Sequence, residues 1–237
     1  MIGPILGASV GAAAMGALAL GAYHPNCSLF GPAIGRGRHR GSSLYLTFDD
    51  GPNPTATERI VETLAIERVP GAFFMVGAHV ERHPDLARAV AGAGHEIGNH
   101  TQHHLKLHSC GPGRISRELE ECHRVIAGAT GHSPRAFRAP HGYRNPFVTF
   151  AANRLGYTVF GWTFGVFDSA CPGSEEIRRR VRKRLRPGAI ILLHDGDGYD
   201  ASAGRRQTAD ALPGIIRDAR DAGYQFRPLG ELIPGLR

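Results

Sequence analysis

Several acids and histidines are spaced along this chain as hydrolysis at a divalent cation would need. The stretch LYLTFDDGPNP, Leu44 to Pro54, ends an apolar run on two adjacent carboxylates, Asp49 and Asp50. Asp, Gly and Pro are common turn residues, so one reading is a turn with surplus charge. The other is a site where a cation satisfies one carboxylate and leaves the second free. HEIGNHTQHH places His100 and His104 four residues apart. On a helical turn they share a face, with about 5–6 Å between Cβ atoms, which suits a divalent metal. That spacing alone is weak, because His103 and His108 offer other pairings. HEIGNH also departs from the H-E-x-x-H metalloprotease pattern. Arg138 in FRAPHG, Asp168 in a later loop and His194 in IILLHDG complete the set.

These residues need elements to position them. Apolar strands are expected at 44–48, 72–76, 95–98, 135–138, 157–162, 189–193 and 224–227. Amphipathic helices are expected at 54–67, 84–93, 113–128, 145–155, 174–185 and 208–222. Asn53-Pro54 and His83-Pro84 signal two helix starts. Gly71, Gly94, Gly131, Gly156, Gly188 and Gly223 fall just before strands, where a helix ends and the chain turns back. This alternation predicts a parallel sheet with helices outside, either doubly wound or a closed barrel. Every residue of the polar set then lies beyond the carboxyl end of a strand. In a parallel barrel that is the rim on which active sites are built.

Composition sets the remaining bounds. Hydrophobic residues make up 42% and charged residues 21% of the 237, a globular balance whose length suits one large domain or two small ones. Much of the net charge of +7 lies in RGRHR (Arg36 to Arg40) and RRRVRKRLR (Arg178 to Arg186). Ile177, Val181 and Leu185 recur through the second run at helical spacing, so its arginines read as the solvated face of a helix. Without aromatic interleaving or a DNA-reading element, nucleic acid is not an expected partner; an anionic polymer or lipid surface stays open. Cys27, Cys110, Cys122 and Cys171 form no CxxC pair and hence no zinc-knuckle pattern. Residues 1–23 carry no charged side chain and are long enough to span a bilayer. A single membrane anchor is expected there, with a cleaved secretory or periplasmic signal as the alternative; the basic n-region of a signal is missing. Arg36, Arg38 and Arg40 would hold the following domain in the cytoplasm, whereas an envelope substrate favours the outer face. Residues 24–42 read as a linker and 43–235 as the catalytic domain.

TFDDGP (Thr47 to Pro52), HTQHH (His100 to His104), FRAP (Phe137 to Pro140), the Asp168 loop and LLHD (Leu192 to Asp195) follow a familiar order. From residue 44 to about 232 the chain resembles the polysaccharide deacetylase family (carbohydrate esterase family 4, the NodB homology domain). The resemblance implies a distorted (β/α)7 barrel and a metal-dependent hydrolase that removes N-acetyl groups from an amino-sugar glycan; a membrane anchor with a basic linker would point to a lipid-linked sugar. The resemblance also implies that Asp49 is the general base and that Asp50, His100 and His104 ligate the metal. His194 becomes the general acid, Arg138 orients the base and Asp168 holds the acid. The backbone N–H near His141 joins the metal in stabilising the oxyanion. Two His and one carboxylate leave positions open for water and substrate. They suit Zn2+, with Co2+ or Mn2+ as other divalent ions for such a site.

The chain departs from the family where it has Ala139 and His141 in place of Pro and Tyr, and where Ser169 replaces the Trp that follows the fourth-motif Asp. That Trp helps wall the sugar pocket, so the departures bear on the substrate. Trp162 is expected near the barrel rim, and Phe164 and Phe167 as replacement apolar wall. Tyr143 and Arg144 are expected as contacts to sugar or to an anionic group, and Tyr199 in DGDGYDASAG as part of a substrate lid. The alternative functions are an O-acetyl esterase using the same site, and a catalytically silent glycan-binding module.

Overall fold

The computed structural model describes residues 3–37 and 41–235; Arg38 and Arg40 of the basic stretch lie outside them. In chain order the elements are α1 (Gly3–Tyr23), β1 (Ser43–Asp49), α2 (Thr57–Glu67), β2 (Gly71–Met75), α3 (Gly77–Arg82), α4 (Pro84–Gly92), β3 (Glu96–Asn99), α5 (Pro112–Thr130), β4 (Ala136–Phe137), α6 (Pro146–Arg154), β5 (Thr158–Val159), β6 (Phe164–Gly165), α7 (Ser174–Arg182), β7 (Ala189–His194), α8 (Arg206–Asp221) and β8 (Gln225–Phe226).

β1 is central: Leu44–Phe48 is mostly apolar and buried on both faces, as a strand covered on both sides must be. The strands run parallel in the order β5-β4-β3-β2-β1-β7-β6, and β8 pairs with the start of β1. Alternation along β1 sorts its side chains. Leu44, Leu46 and Phe48 enter the layer between sheet and helices, with Ile60 and Leu64 of α2 and Leu212 and Ile215 of α8. Tyr45 enters the inner cluster with Phe74, Phe160 and Ile190, and Thr47 and Asp49 follow it on that face. In β7, Ile191 and Leu193 face the helices while Ile190, and after it Leu192 and His194, face inward.

The expected parallel α/β architecture is present, but the barrel is not closed. Among the described residues β5 and β6 do not pair with each other, and the sheet curls into a half-open barrel between them. The expected strand 157–162 ends at Val159 because the N-terminal stretch takes up the backbone that follows. Gly161 N–H donates to the Ile34 carbonyl (3.1 Å), Asn26 Nδ2 to the Trp162 carbonyl (2.8 Å) and Thr163 Oγ1 to the Gly35 carbonyl (2.7 Å). Ile34 bridges Phe160, and Arg36 bridges Ala189. The stretch read as a linker thus lies along the barrel over its described residues. The arginine run has a second use as well. Ile177 and Val181 are buried as expected, but Arg180, Arg184 and Arg186 reach the edge strand and donate to the carbonyls of Val166, Gly165 and Thr163 (2.9, 2.6 and 3.0 Å). All four cysteines are free.

The expected membrane span is not borne out: among the described residues no helix is long and apolar enough to cross a membrane. α1 is built largely of Gly and Ala, whose small side chains carry little transfer free energy. Its last turn docks on the barrel. The Ala22 carbonyl accepts from Arg144 N–H (3.0 Å), and the Tyr23 ring packs edge-on to Tyr143 at 5.1 Å. Arg144, expected to meet substrate, is instead buried beneath this stretch. It donates to the carbonyls of Pro25, Cys27 and Gly31. Arg144→Ala would strand those acceptors, and hydrogen bonds from a charged donor contribute about 1.5–3 kcal/mol each. A loss of roughly 3 kcal/mol is expected, a drop of about 6–12 °C in Tm for a domain this size. Thermal melts test this; an unchanged Tm would show that the buried guanidinium anchors nothing.

Candidate active site

The carboxyl ends of β1, β3 and β7 and the loops after β4 and β6 bring the expected residues around one cleft of about 530 Å³. Asp49 stands opposite His194 in the β1–β7 register, so both side chains leave the inner face at one height. Arg138 is fully buried behind Asp49. It donates to Asp49 Oδ1 (2.6 Å), Thr47 Oγ1 (2.9 Å) and the Gly161 carbonyl (2.9 Å), with its guanidinium 4.1 Å from the Phe74 ring centroid. Burial weighs against the Arg138 cation and the Asp49 carboxylate weighs for it.

Asp50 leaves the strand in the left-handed region (φ 76), which turns its carboxylate toward two imidazoles. Its Oδ1 lies 3.3 Å from His100 Nε2 and 3.0 Å from His104 Nε2. The three ligand atoms lie within 4.8 Å of one another and all three residues are buried. Two ligands about 2.0–2.2 Å from one tetrahedral ion are about 3.3–3.6 Å apart, so this donor set fits a divalent ion. Asp50 Oδ1 is otherwise a buried acceptor without a hydrogen bond. Burial pushes the Asp50 pKa up, and the two imidazoles more than reverse that, holding it well below the usual carboxylate range. His100 Nδ1 meets the Arg138 carbonyl at 2.8 Å, leaving Nε2 for the ion. Thr101, His104, His141 and Phe167 share positive φ with Asp50. Such strain in non-glycine residues gathers at functional sites.

On the other side of the cleft, Asp168 is fully buried. Its Oδ2 accepts from the His194 N–H (2.7 Å) and Thr208 Oγ1 (3.0 Å), and its Oδ1 lies 2.9 Å from His194 Nδ1. Burial disfavours the imidazolium, but Asp168, together with Asp50 and Asp49, outweighs it and the His194 pKa is raised to about 9. Asp195 points behind the strand, as extended backbone requires. Its Oδ2 accepts from Thr57 Oγ1 at 2.6 Å, and burial raises its pKa to about 7.

His141, Tyr143, Trp162, Phe167 and Tyr199 line the cleft. His141 sits 4.9 Å from the His104 ring, and burial together with that neighbour pushes its pKa down to about 4. Phe167 is 71% exposed, whereas Phe164, expected as cleft wall, is buried in the outer core. Two supporting residues escaped the sequence reading. Thr47 shares a strand face with Asp49, a signal that alternation carries. His79, whose Nδ1 is 2.9 Å from the Asp50 carbonyl, sits in the six-residue α3, which is too short to show a period.

A family model for polysaccharide deacetylases matches residues 36–160. A chitooligosaccharide deacetylase of Bradyrhizobium sp. (strain ANU 289) is 38% identical over 197 residues, 80% of this chain and 90% of the relative. A peptidoglycan-N-acetylglucosamine deacetylase of Bacillus cereus (strain ATCC 14579) is 36% identical over 192 residues, 80% of this chain and 87% of the relative. The solved structure of Bacillus subtilis PdaA, a family 4 carbohydrate esterase, superposes with a TM-score of 0.74 at 30% identity over 84% of each chain. With Asp50, His100 and His104 gathered as that family's motifs require, the chain belongs to the polysaccharide deacetylase family.

Proposed function

We propose that this enzyme removes N-acetyl groups from an amino-sugar glycan such as a chitooligosaccharide or peptidoglycan, with Asp49 as base and His194 as acid. One observation carries the assignment of roles. Asp49 and His194 are in register on adjacent strands, and each is backed by a buried counter-charge of its own, Arg138 and Asp168.

Asp50, His100 and His104 would hold the divalent ion, with zinc as our proposal for its identity. Once bound, such an ion polarises the acetyl carbonyl and acidifies water. Asp49 takes the proton from the attacking water, and Arg138 fixes the carboxylate in place for that transfer. The backbone N–H of His141 stabilises the oxyanion. His194 delivers a proton from Nε2 to the departing amine, while Asp168 holds Nδ1 and keeps the ring charged. Tyr143 and Phe167 wall the sugar. An amine is a poor leaving group until it is protonated, so an acid whose charge is favoured by Asp168 suits amide more than ester substrates. Peptidoglycan lies outside the plasma membrane, which supports a secreted or periplasmic location.

The test is acetate release by the purified chain from N-acetylglucosamine oligomers, peptidoglycan and acetylated xylan, compared by kcat/KM. Release from at least one amino-sugar substrate should exceed that from xylan by at least tenfold. Preference for xylan would make the enzyme an O-acetyl esterase.

A further inference from the structure

The two histidines of the ligand set are oriented in different ways. His100 has a conventional support, its Nδ1 meeting the Arg138 carbonyl at 2.8 Å. A histidine that ligates a metal usually gives its second ring nitrogen to such an acceptor, which fixes both tautomer and ring plane. His104 Nδ1 is buried and has no hydrogen-bond partner among the described residues. Its side chain nonetheless holds Nε2 at 3.0 Å from Asp50 Oδ1, on a backbone in the left-handed region (φ 53).

Rings take the place of the missing acceptor. The His141 ring packs edge-on to His104 with centroids 4.9 Å apart, and the Tyr199 ring does the same at 5.0 Å. Edge-to-face pairs at this separation are favourable beyond the area they bury. A 2.9 Å hydrogen bond between the Tyr199 hydroxyl and His141 Nε2 ties the two clamping rings together. The loop carrying Tyr199 is seated on the ligands themselves. A Cβ on Gly196 would overlap the Asp50 carbonyl, and one on Gly198 would overlap the His104 ring at Nδ1. Neither glycine has positive φ, so close approach is what requires them. The Asp197–Arg205 ion pair (2.7 Å) holds the loop there. Tyr199 is 65% exposed, so its ring contributes little to the core.

From these contacts we infer that Tyr199 is a positioning residue for the metal site, its ring orienting His104 in place of a hydrogen-bond acceptor. This rests on the proposed metal site. It assigns the post-β7 loop a part in holding the ion, separate from any contact with substrate.

The experiment is Zn2+ affinity by competition with a chromophoric chelator, on the full chain carrying Tyr199→Ala, Tyr199→Phe or Asp50→Ala. Outer-shell partners are worth about 10–100-fold in metal affinity. Tyr199→Ala should weaken Zn2+ binding by about tenfold, while Tyr199→Phe, which keeps the ring, should stay within about threefold of the wild type. Melting of the metal-free proteins should be alike, which sets the loss apart from misfolding. If Tyr199→Ala binds as the wild type does while Asp50→Ala does not, the metal site stands and the inference is wrong. If both tyrosine variants weaken alike, the hydroxyl and not the ring is responsible, and the inference is again wrong. If Asp50→Ala binds as tightly as the wild type, the proposed metal site fails and the inference falls with it.

Discussion

Asp49→Asn should keep the divalent ion and lose about 10²–10⁴-fold in kcat, the span of a positioned base, while Asp50→Ala should lose the ion itself. The two residues are neighbours in sequence, yet their environments differ. Asp49 ends the extended strand on the inner face, where Arg138 Nη1 holds it at 2.6 Å. Asp50 has already turned out of the strand at φ 76 and meets both imidazoles at 3.0–3.3 Å. An amide at position 49 keeps the shape and gives up the basicity. It also leaves the Arg138 charge buried without its partner, and breaking such a pair costs about 3–5 kcal/mol, so a lower Tm should accompany the lost turnover. Metal content by atomic emission, with kcat on the same samples, makes the comparison. If both variants held metal equally and stayed active, the division of labour between the two carboxylates would be wrong.

The second large effect concerns His194, the proposed acid. His194 is raised to about 9 although burial opposes its charge, because Asp168 stands against it. Asp50 and Asp49 also favour the imidazolium, but the share from Asp50 is offset once a dication sits on that carboxylate. A group that must be protonated to work loses activity as the pH rises through its pKa. The wild type should therefore lose kcat/KM at alkaline pH, with a limb below the value of about 9 that holds without the ion. Asp168→Asn keeps an acceptor at Nδ1 and removes the charge. Burial is then opposed only by the more distant Asp49 and Asp50 and the pKa falls, so the alkaline limb should move to lower pH, with a loss of about 10²–10⁴-fold at pH 8. A pH profile of the variant parallel to that of the wild type would show that Asp168 only holds the ring in place.

Much of this site was legible because it is local. Alternation in LYLTFD fixes which face Asp49 takes, and IILLH does the same for His194, so the rim position of both follows from strand period alone. The His100/His104 spacing suits a ligand pair but is weak alone, and the order of the motifs is what selects it and ties it to Asp50. What escaped depends on contacts between distant parts of the chain. Nothing in Arg144 itself shows that the backbone of Pro25–Gly31 will cover it. The early end of the expected 157–162 strand, beside the opening of the barrel, comes with hydrogen bonds to residues 26–35. α1 carries no charge, but its many Gly and Ala residues leave it less apolar than a membrane span requires. Gly196 and Gly198 look like loop glycines until the ligands beneath them are seen.

Under the proposed function, hydrolysis needs an ion held by Asp50, His100 and His104. The most direct test is acetate release from N-acetylglucosamine oligomers by chain dialysed against chelator, before and after adding back one equivalent of Zn2+. Release should be lost on dialysis, return with Zn2+ in the wild type and stay absent in Asp50→Ala. Undiminished release from the metal-free chain, or rescue of Asp50→Ala by the same equivalent, would contradict the account.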